Sequence, residues 1–401
     1  MAPEAPSSKW EFRRLADVAN VDSGAGFPLQ NQDRTDGAFP FFKVGDMNRT
    51  GNETEMHFFA HSISEEVRIA LRAKAFPDGA VVFPKIGAAI ATNKKRLLIQ
   101  PSCVDNNVMA VSPSSELEPR FLFYLFLGKN LADFANDSNP PSIRKTTVQE
   151  WSIPVPPLAE QQRLVARIEA LTSRLEQARQ ARQAALAEGE SVFQRALEIA
   201  FSDDATEDWS EHDADELFEI IGGQVSPFDA EFRDLPYLGP EHVETGTGRI
   251  VGERMSVAEL KMKSGKYRFT PEHVVYSKIR PALRKVCTPD YSGLCSADMY
   301  ALQPNLSRIS REFLKFLLLA PAFSDYAVDK SDRNAMPKIN QTALRAFRFR
   351  IPEPPEQSRI ARLLTGILDK HAELRRLQTE TEAELAAFTP ALLAKAFRGE
   401  L

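Results

Sequence analysis

Two stretches of the chain set polar and apolar positions in the same unusual order. Residues 153–171 read IPVPPLAEQQRLVARIEAL and residues 351–364 read IPEPPEQSRIARLL. Each opens on a proline-rich run and passes directly into charged sequence with apolar residues three and four apart. After the first run, Leu164, Ile168, Leu171, Leu175, Ala178 and Ala185 keep that spacing, interrupted by Arg182. After the second, Ile360, Leu364, Ile367, Leu374, Leu385, Phe388 and Leu392 keep it, with His371, Gln378 and Thr381 on the same stripe. The pattern predicts long helices with a coiled-coil seam. The first covers residues 160–188, about 40 Å at roughly 1.5 Å per residue. Pro154, Pro156 and Pro157 predict an extended segment ahead of it, because each lacks a donor and pushes the preceding residue away from helix.

The proline runs belong to a larger repetition, at a shift of roughly 190 to 200 residues. AVVFPKIGAAI (80–90) lines up with HVVYSKIRPAL (273–283), VMAVSP (108–113) with MYALQP (299–304), and RFLFYLFL (120–127) with EFLKFLLL (312–319). RAL (195–197) pairs with KAF (395–397), and Trp10 and Trp209 open the two repeats. The order is kept throughout, which makes the chain a tandem repeat of α+β units. Apolar, β-branched runs predict strands at residues 80–83, 97–100, 108–111 and 273–276, and the runs at 121–127 and 313–319 predict helices packed on the sheets. The boundaries that follow are 1–152 and 203–350 for two globules, with 153–202 and 351–401 for the proline turns and their helices. Such a helix needs a partner. The matching helix of the other repeat is the nearest candidate, and lying on its own globule is the alternative.

Composition narrows the class. A chain of 401 residues with 43% hydrophobic and 26% charged residues suits two or three globular domains. No apolar run reaches the roughly 18 residues of a membrane span, and the opening MAPEAPSSKW lacks the pattern of a secretory signal, so a cytoplasmic location is expected. Cys103, Cys287 and Cys295 have no ligand spacing and are expected to be buried thiols. The net charge of -5 conceals strong segregation. Residues 202–219 hold nine acids and no Lys or Arg. Residues 83–100 carry Lys85, Lys94, Lys95 and Arg96 without an acid, and residues 277–288 carry Lys278, Arg280, Arg284 and Lys285 without one. Residues 333–351 add Arg333, Lys338, Arg345, Arg348 and Arg350.

No catalytic constellation stands out. NPPS (139–142) is similar to the Asn-Pro-Pro-aromatic loop of amino-methyltransferases, but Ser142 replaces the aromatic residue and no glycine-rich adenosylmethionine motif precedes it. His57 and His61 lack the glutamate of a zinc-protease helix and read as surface or packing histidines. Lys266 follows Gly265 without the rest of a phosphate loop. What remains is a duplicated set of basic segments. Lysine and arginine bind phosphate whatever the sequence, whereas Arg, Asn and Gln also read base edges. The candidate DNA-binding residues are therefore Lys85, Lys94, Lys95, Arg96, Arg144, Lys145, Lys278, Arg280, Arg284, Lys285, Lys338 and Asn340.

With IPVPPLAEQQ (153–162), IPEPPEQ (351–357) and the terminal LLAKAFRGEL (392–401), the whole chain resembles the specificity subunits of type I restriction-modification systems. The second proline turn lacks the counterparts of Leu158 and Ala159. The resemblance implies two target-recognition domains, each binding one half of a split double-stranded DNA site. It also implies two long antiparallel helices, which give a pseudo-twofold monomer, set the half-site spacing and dock two methyltransferase subunits. S-adenosylmethionine is implied in those subunits, with ATP and Mg in separate restriction or motor subunits. This chain would then carry no catalytic, cofactor or metal site. Two other readings stay open: a stand-alone DNA-modifying enzyme with fused recognition domains, which needs an adenosylmethionine pocket here, and a non-DNA helical scaffold.

Overall fold

The computed structural model describes residues 10–331 and 337–401. Arg333 and Asn334 lie outside the described residues. The chain forms two compact units, Met1–Arg179 with Thr381–Leu401 and Gln180–Glu380. Each unit holds one globule and a part of both long helices.

In the first unit a five-stranded sheet runs in the order Ala19–Ser23, Val108–Pro113, Val81–Pro84, Arg96–Leu98, Glu55–Met56. Its central strands alternate between two cores. Val81, Phe83, Met109 and Val111 pack against the helix Pro119–Leu127 and the long helices, while Val82, Leu98, Val108 and Ala110 pack with Phe42, Met47 and Phe76 on the other face. Burial on both faces is why these strands read as continuous apolar runs. The second unit repeats the plan. Phe218–Ile220, Met299–Pro304, Val274–Ser277 and Val286–Cys287 form a four-stranded sheet, with the helix Arg311–Leu319 on one face. The registers match: Val81 faces Val111 as Val274 faces Leu302, and Phe83 faces Met109 as Tyr276 faces Tyr300. The predicted strands and helices fall within two residues of the observed ones, and all three cysteines are buried.

A short antiparallel pair closes each globule. Phe12–Arg14 pairs with Ser152–Pro154, and Ser210–Asp213 with Arg348–Ile351. The long helices start directly afterwards: Leu158–Ala200 has 43 residues and outruns the expected 160–188, and Pro354–Phe397 has 44. The first repeat keeps Pro156 and Pro157 outside the helix, which starts at Leu158. The second begins its helix on Pro354 and Pro355, which the first turn tolerates because N–H groups there have no intrahelical acceptor. This absorbs the two-residue deletion.

The rigid part of each junction is a glutamine. Gln161, fully buried, donates through Nε2 to Glu116 O at 2.9 Å and Pro156 O at 2.8 Å, and its Oε1 accepts from Glu118 N at 2.8 Å. Gln357 repeats this with Arg308 O at 2.8 Å, Pro352 O at 2.9 Å and Ser310 N at 3.1 Å. Helix start, proline segment and the loop before the packed helix are thus tied at one point. The glutamine shared by both motifs has a structural cause.

Within each unit the segments of the two long helices run antiparallel. In the first, Leu164 and Ile168 share a core with Leu392, Leu393 and Ala396, with Leu171 half-buried on it; Leu175 is also buried. In the second, Ile360 and Leu364 share a core with Phe193, Leu197 and Phe201, Ile367 packs on it, and Leu374 is half-buried. Both sequence alternatives are realised together, since these residues pack on a partner helix and on a globule. Toward the middle the contacts turn polar. Arg179 donates to Leu385 O at 3.2 Å in the first unit; in the second, Arg182 donates to Gln378 O and Gln378 Nε2 returns a bond to Arg182 O at 3.1 Å. The residues that interrupt the apolar stripe are its polar contacts.

Candidate nucleic-acid interface

Beyond the end of an interior strand of each sheet two basic segments run side by side. In the first unit, the chain leaving the strand Val81–Pro84 meets the chain approaching the closing strand pair. Ile143 N donates to Lys85 O at 2.8 Å, Gly87 N to Pro141 O at 2.8 Å, and Lys85 N to Asn107 O at 2.9 Å. In the second unit Ile339 N donates to Lys278 O at 2.9 Å, Arg280 N to Pro337 O at 2.7 Å, and Lys278 N to Asp298 O at 3.0 Å. The same three main-chain bonds recur at equivalent positions and make a ledge in each unit. The NPPS loop is part of the first ledge, where Asn136 Oδ1 holds Ser142 by its N at 3.0 Å and its Oγ at 3.2 Å.

The ledges gather most of the candidate residues. Lys85 is half-buried, with Nζ donating to Ser23 Oγ at 2.9 Å, and its counterpart Lys278 places Nζ 5.2 Å from the Tyr300 ring centre. Arg144 and Lys145 are exposed on the first ledge, Lys145 donating to Asp22 Oδ1 at 2.7 Å. Burial would raise the Asp22 pKa, but the bonds from Lys145 and Lys74 prevail and hold it below the ordinary carboxylate range. Arg280 and Lys338 are exposed on the second ledge. Asn340 is exposed too, but its Oδ1 caps the helix Gln341–Arg345 by accepting from Ala343 N at 2.8 Å. Lys94 and Lys285 are half-buried, donating to Asn48 Oδ1 and to Pro240 O, the latter at 2.6 Å.

Lys95 and Arg96 do not belong with them. Lys95 is 1% exposed, with Nζ donating to Asn93 Oδ1 and Lys129 O at 2.6 Å each, and burial pushes its pKa down to about 8. Arg96 is 9% exposed and donates to Lys95 O at 2.8 Å and Met47 O at 2.9 Å. Arg96 faces Val82 across the sheet as Cys287 faces Val275, so the pair stands where the second unit has Val286 and Cys287. Sequence alone leaves this equivalence open, because the repeat shift falls from 193 residues at Val81 to 191 at Val108 and only the strand pairing places the gap. The acid-free runs therefore mix surface and core. Arg345, Arg348 and Arg350 are likewise not a free basic surface: they pair with Asp215, Asp213 and Glu211, so the acidic segment neutralises the basic one across the closing strands. The two histidines serve packing and surface contacts, His61 buried and accepting from Asp33 N at 2.8 Å, His57 beside Glu55 at 3.1 Å.

One feature of the second ledge is visible in sequence only through its counterpart in the first. Arg280 (φ 49°, ψ 61°) and Arg284 (φ 45°, ψ 56°) bracket the turn Pro281–Leu283 in the left-handed region. The first unit has the same backbone at Gly87 (φ 70°) and Asn93 (φ 53°). Glycine enters this region freely and asparagine readily, whereas other residues pay about 1–2 kcal/mol. The conformation is set by the fold, and the arginines tolerate it.

A tandem pair of α+β globules, each with a basic ledge and each leading into a long helix, defines a modular recognition protein. The chain belongs to the family of the type I restriction modification DNA specificity domain, whose model matches residues 7–183 and 206–385. It is 30% identical over 322 residues to the type I restriction enzyme EcoDI specificity subunit of Escherichia coli, covering 71% of this chain and 70% of that protein. It is 21% identical to the EcoBI specificity subunit of the same organism over 98% of this chain and 86% of the relative. The fold matches the HsdS subunit from Thermoanaerobacter tengcongensis with a TM-score of 0.66 at 23% identity, over 100% of this chain and 99% of the other. A chain from a structure describing complex assembly and conformational transition of the type I R-M system matches with a TM-score of 0.70 at 23% identity, over 100% of both chains. Among the described residues, no helix is long and apolar enough to cross a membrane.

Proposed function

We propose that this specificity subunit reads a split double-stranded DNA site, one half with each ledge. The observation that carries the reading is the pair of ledges itself. Their main-chain bonds and lysines coincide, while the residues around them differ: half-buried Gly87 against exposed Arg280, half-buried Ser142 against exposed Lys338, and exposed Arg144 against exposed Asn340. A common frame with different donors suits two half-sites of the same duplex geometry and different bases. The chain acts without catalytic groups of its own, in the cytoplasm. Its helices dock two methyltransferase subunits, which bring S-adenosylmethionine and modify adenine, and restriction subunits use ATP and Mg. The helix pair sets the spacing between half-sites.

The test is to map methylated adenines in cells carrying this chain with its methyltransferase partner. A two-part motif with a fixed non-specific spacer is expected. Exchanging residues 203–350 for those of a related subunit should change one half of the motif and leave the other. A single contiguous motif, or a change in both halves, would overturn the reading.

A further inference from the structure

We infer that Arg280 determines specificity in the second unit by reading a guanine in its half-site. The inference rests on the DNA-reading function proposed above. Arg280 is exposed, and its guanidinium makes no hydrogen bond or ion pair to any described residue. Its backbone, in contrast, is fixed on both sides. Arg280 N is tied to Pro337 O at 2.7 Å, and the buried ring of Pro281 follows at once. A free side chain on a rigid pedestal is pre-organised for contact, because little backbone entropy remains to be lost on binding.

The left-handed backbone identifies the position as chosen for its side chain. The first unit solves the same turn with Gly87, the residue that fits it without strain. Arginine gives nothing to the fold there. Its five donors in a planar fork match the O6 and N7 acceptors of guanine in a fixed geometry, which the flexible ammonium of lysine meets with less pre-organisation. Neighbouring Lys278 and Lys338 supply charge on the same ledge, and phosphate attraction does not require a fork.

The experiment uses the complete chain assembled with its methyltransferase partner, with Arg280→Gly and Arg280→Lys variants. Arg280→Gly copies the first unit and removes strain, so it is expected to fold at least as well as the parent. Binding and methylation are read over a library varying every base pair of both half-sites. The parent should prefer G·C at one position of the second half-site by on the order of 10- to 100-fold. Arg280→Gly should lose that preference and Arg280→Lys should reduce it, while every other position keeps its own, and Arg280→Lys should leave the salt dependence unchanged. Uniform weakening at all sites, with a shallower salt dependence for Arg280→Gly, would make Arg280 a phosphate contact and overturn the inference. An unchanged preference would overturn it as well. A parent complex with no sequence preference would instead refute the DNA-reading function itself.

Discussion

Around the same three main-chain bonds, the first unit presents Arg144 and Lys145 beside Gly87 and Ser142, and the second presents Arg280 and Lys338 beside Asn340. What the units share is of another kind. Ile143 and Ile339 are buried, Gln161 and Gln357 are buried, and Lys85 and Lys278 hold the same place at the strand end. Identity between the repeats thus marks the frame, and difference marks what the frame displays. A duplicated module that must recognise two unlike ligands of common shape is expected to diverge in this way, outside the buried frame.

The strongest test of the shared frame is the glutamine clamp. Gln161→Ala leaves Glu118 N and two carbonyl oxygens without their partner, and Gln357→Ala does the same to Ser310 N and its two carbonyls. At about 1–3 kcal/mol per stranded buried group, partly relieved by water, each change should cost about 3 kcal/mol. Denaturant unfolding gives the size, and amide exchange shows whether the loss stays in the mutated unit. Similar costs would sharpen the comparison. A cost in one unit alone would break it, because the two junctions would then be held by different means.

How far all this was legible from sequence depends on the range of the interaction. The apolar runs and helix periodicity gave the strands near Val81, Val108 and Val274 and both long helices, since burial on one or both faces is written locally. The first helix was read as ending at residue 188 but runs on through Gly189 to Ala200, and what periodicity counts as interruptions of the stripe are polar contacts such as Arg182 with Gln378. Charge was least legible. Lys95 sits between Lys94 and Arg96 in an acid-free run, yet it is buried just ahead of a strand, beside the Lys129 carbonyl, 34 residues away. The pairing of Glu211 with Arg350 likewise joins segments 139 residues apart. The left-handed backbone of Arg280 had a sequence clue, because Gly87 stands at its counterpart in the alignment.

The long helices offer a smaller test of the same contrast between committed and open positions. Gly189 and Gly366 both interrupt helix interior in the second unit. A Cβ on Gly189 would lie 2.6 Å from Cδ2 of His371, itself buried, whereas one on Gly366 would meet nothing within 4 Å. Gly366→Ala should stabilise by about 0.5–1 kcal/mol through helix propensity. Gly189→Ala should destabilise by about 1–2 kcal/mol, the overpacking exceeding the same propensity gain. Thermal melting should therefore shift in opposite directions. A stabilising Gly189→Ala would mean that His371 moves aside freely and that the antiparallel contact is loose.

The smallest effects separate Lys94 from Lys95. Lys94→Ala removes a half-buried surface charge and should lower the slope of log binding constant against log salt by about one, if Lys94 meets a phosphate. Lys95→Val installs the residue of the second unit and should leave that slope alone, because its ammonium never reaches solvent. Its own signature is in stability. Burial holds the Lys95 pKa at about 8, below the ordinary 10.5, so between those values the unfolded chain binds a proton that the folded chain does not. Stability then rises with pH over that window. The Cys103 thiol, pushed up to about 11 by burial, works the other way above pH 9, since there the folded chain keeps the proton that the unfolded chain releases. Parent and Lys95→Val must therefore be compared at each pH. Urea unfolding from pH 8 to 10.5 should give the parent a more positive slope than the variant, with the thiol contribution common to both. Equal slopes, together with a weaker salt dependence for Lys95→Val, would return Lys95 to the DNA-facing surface and undo its equivalence with Val286.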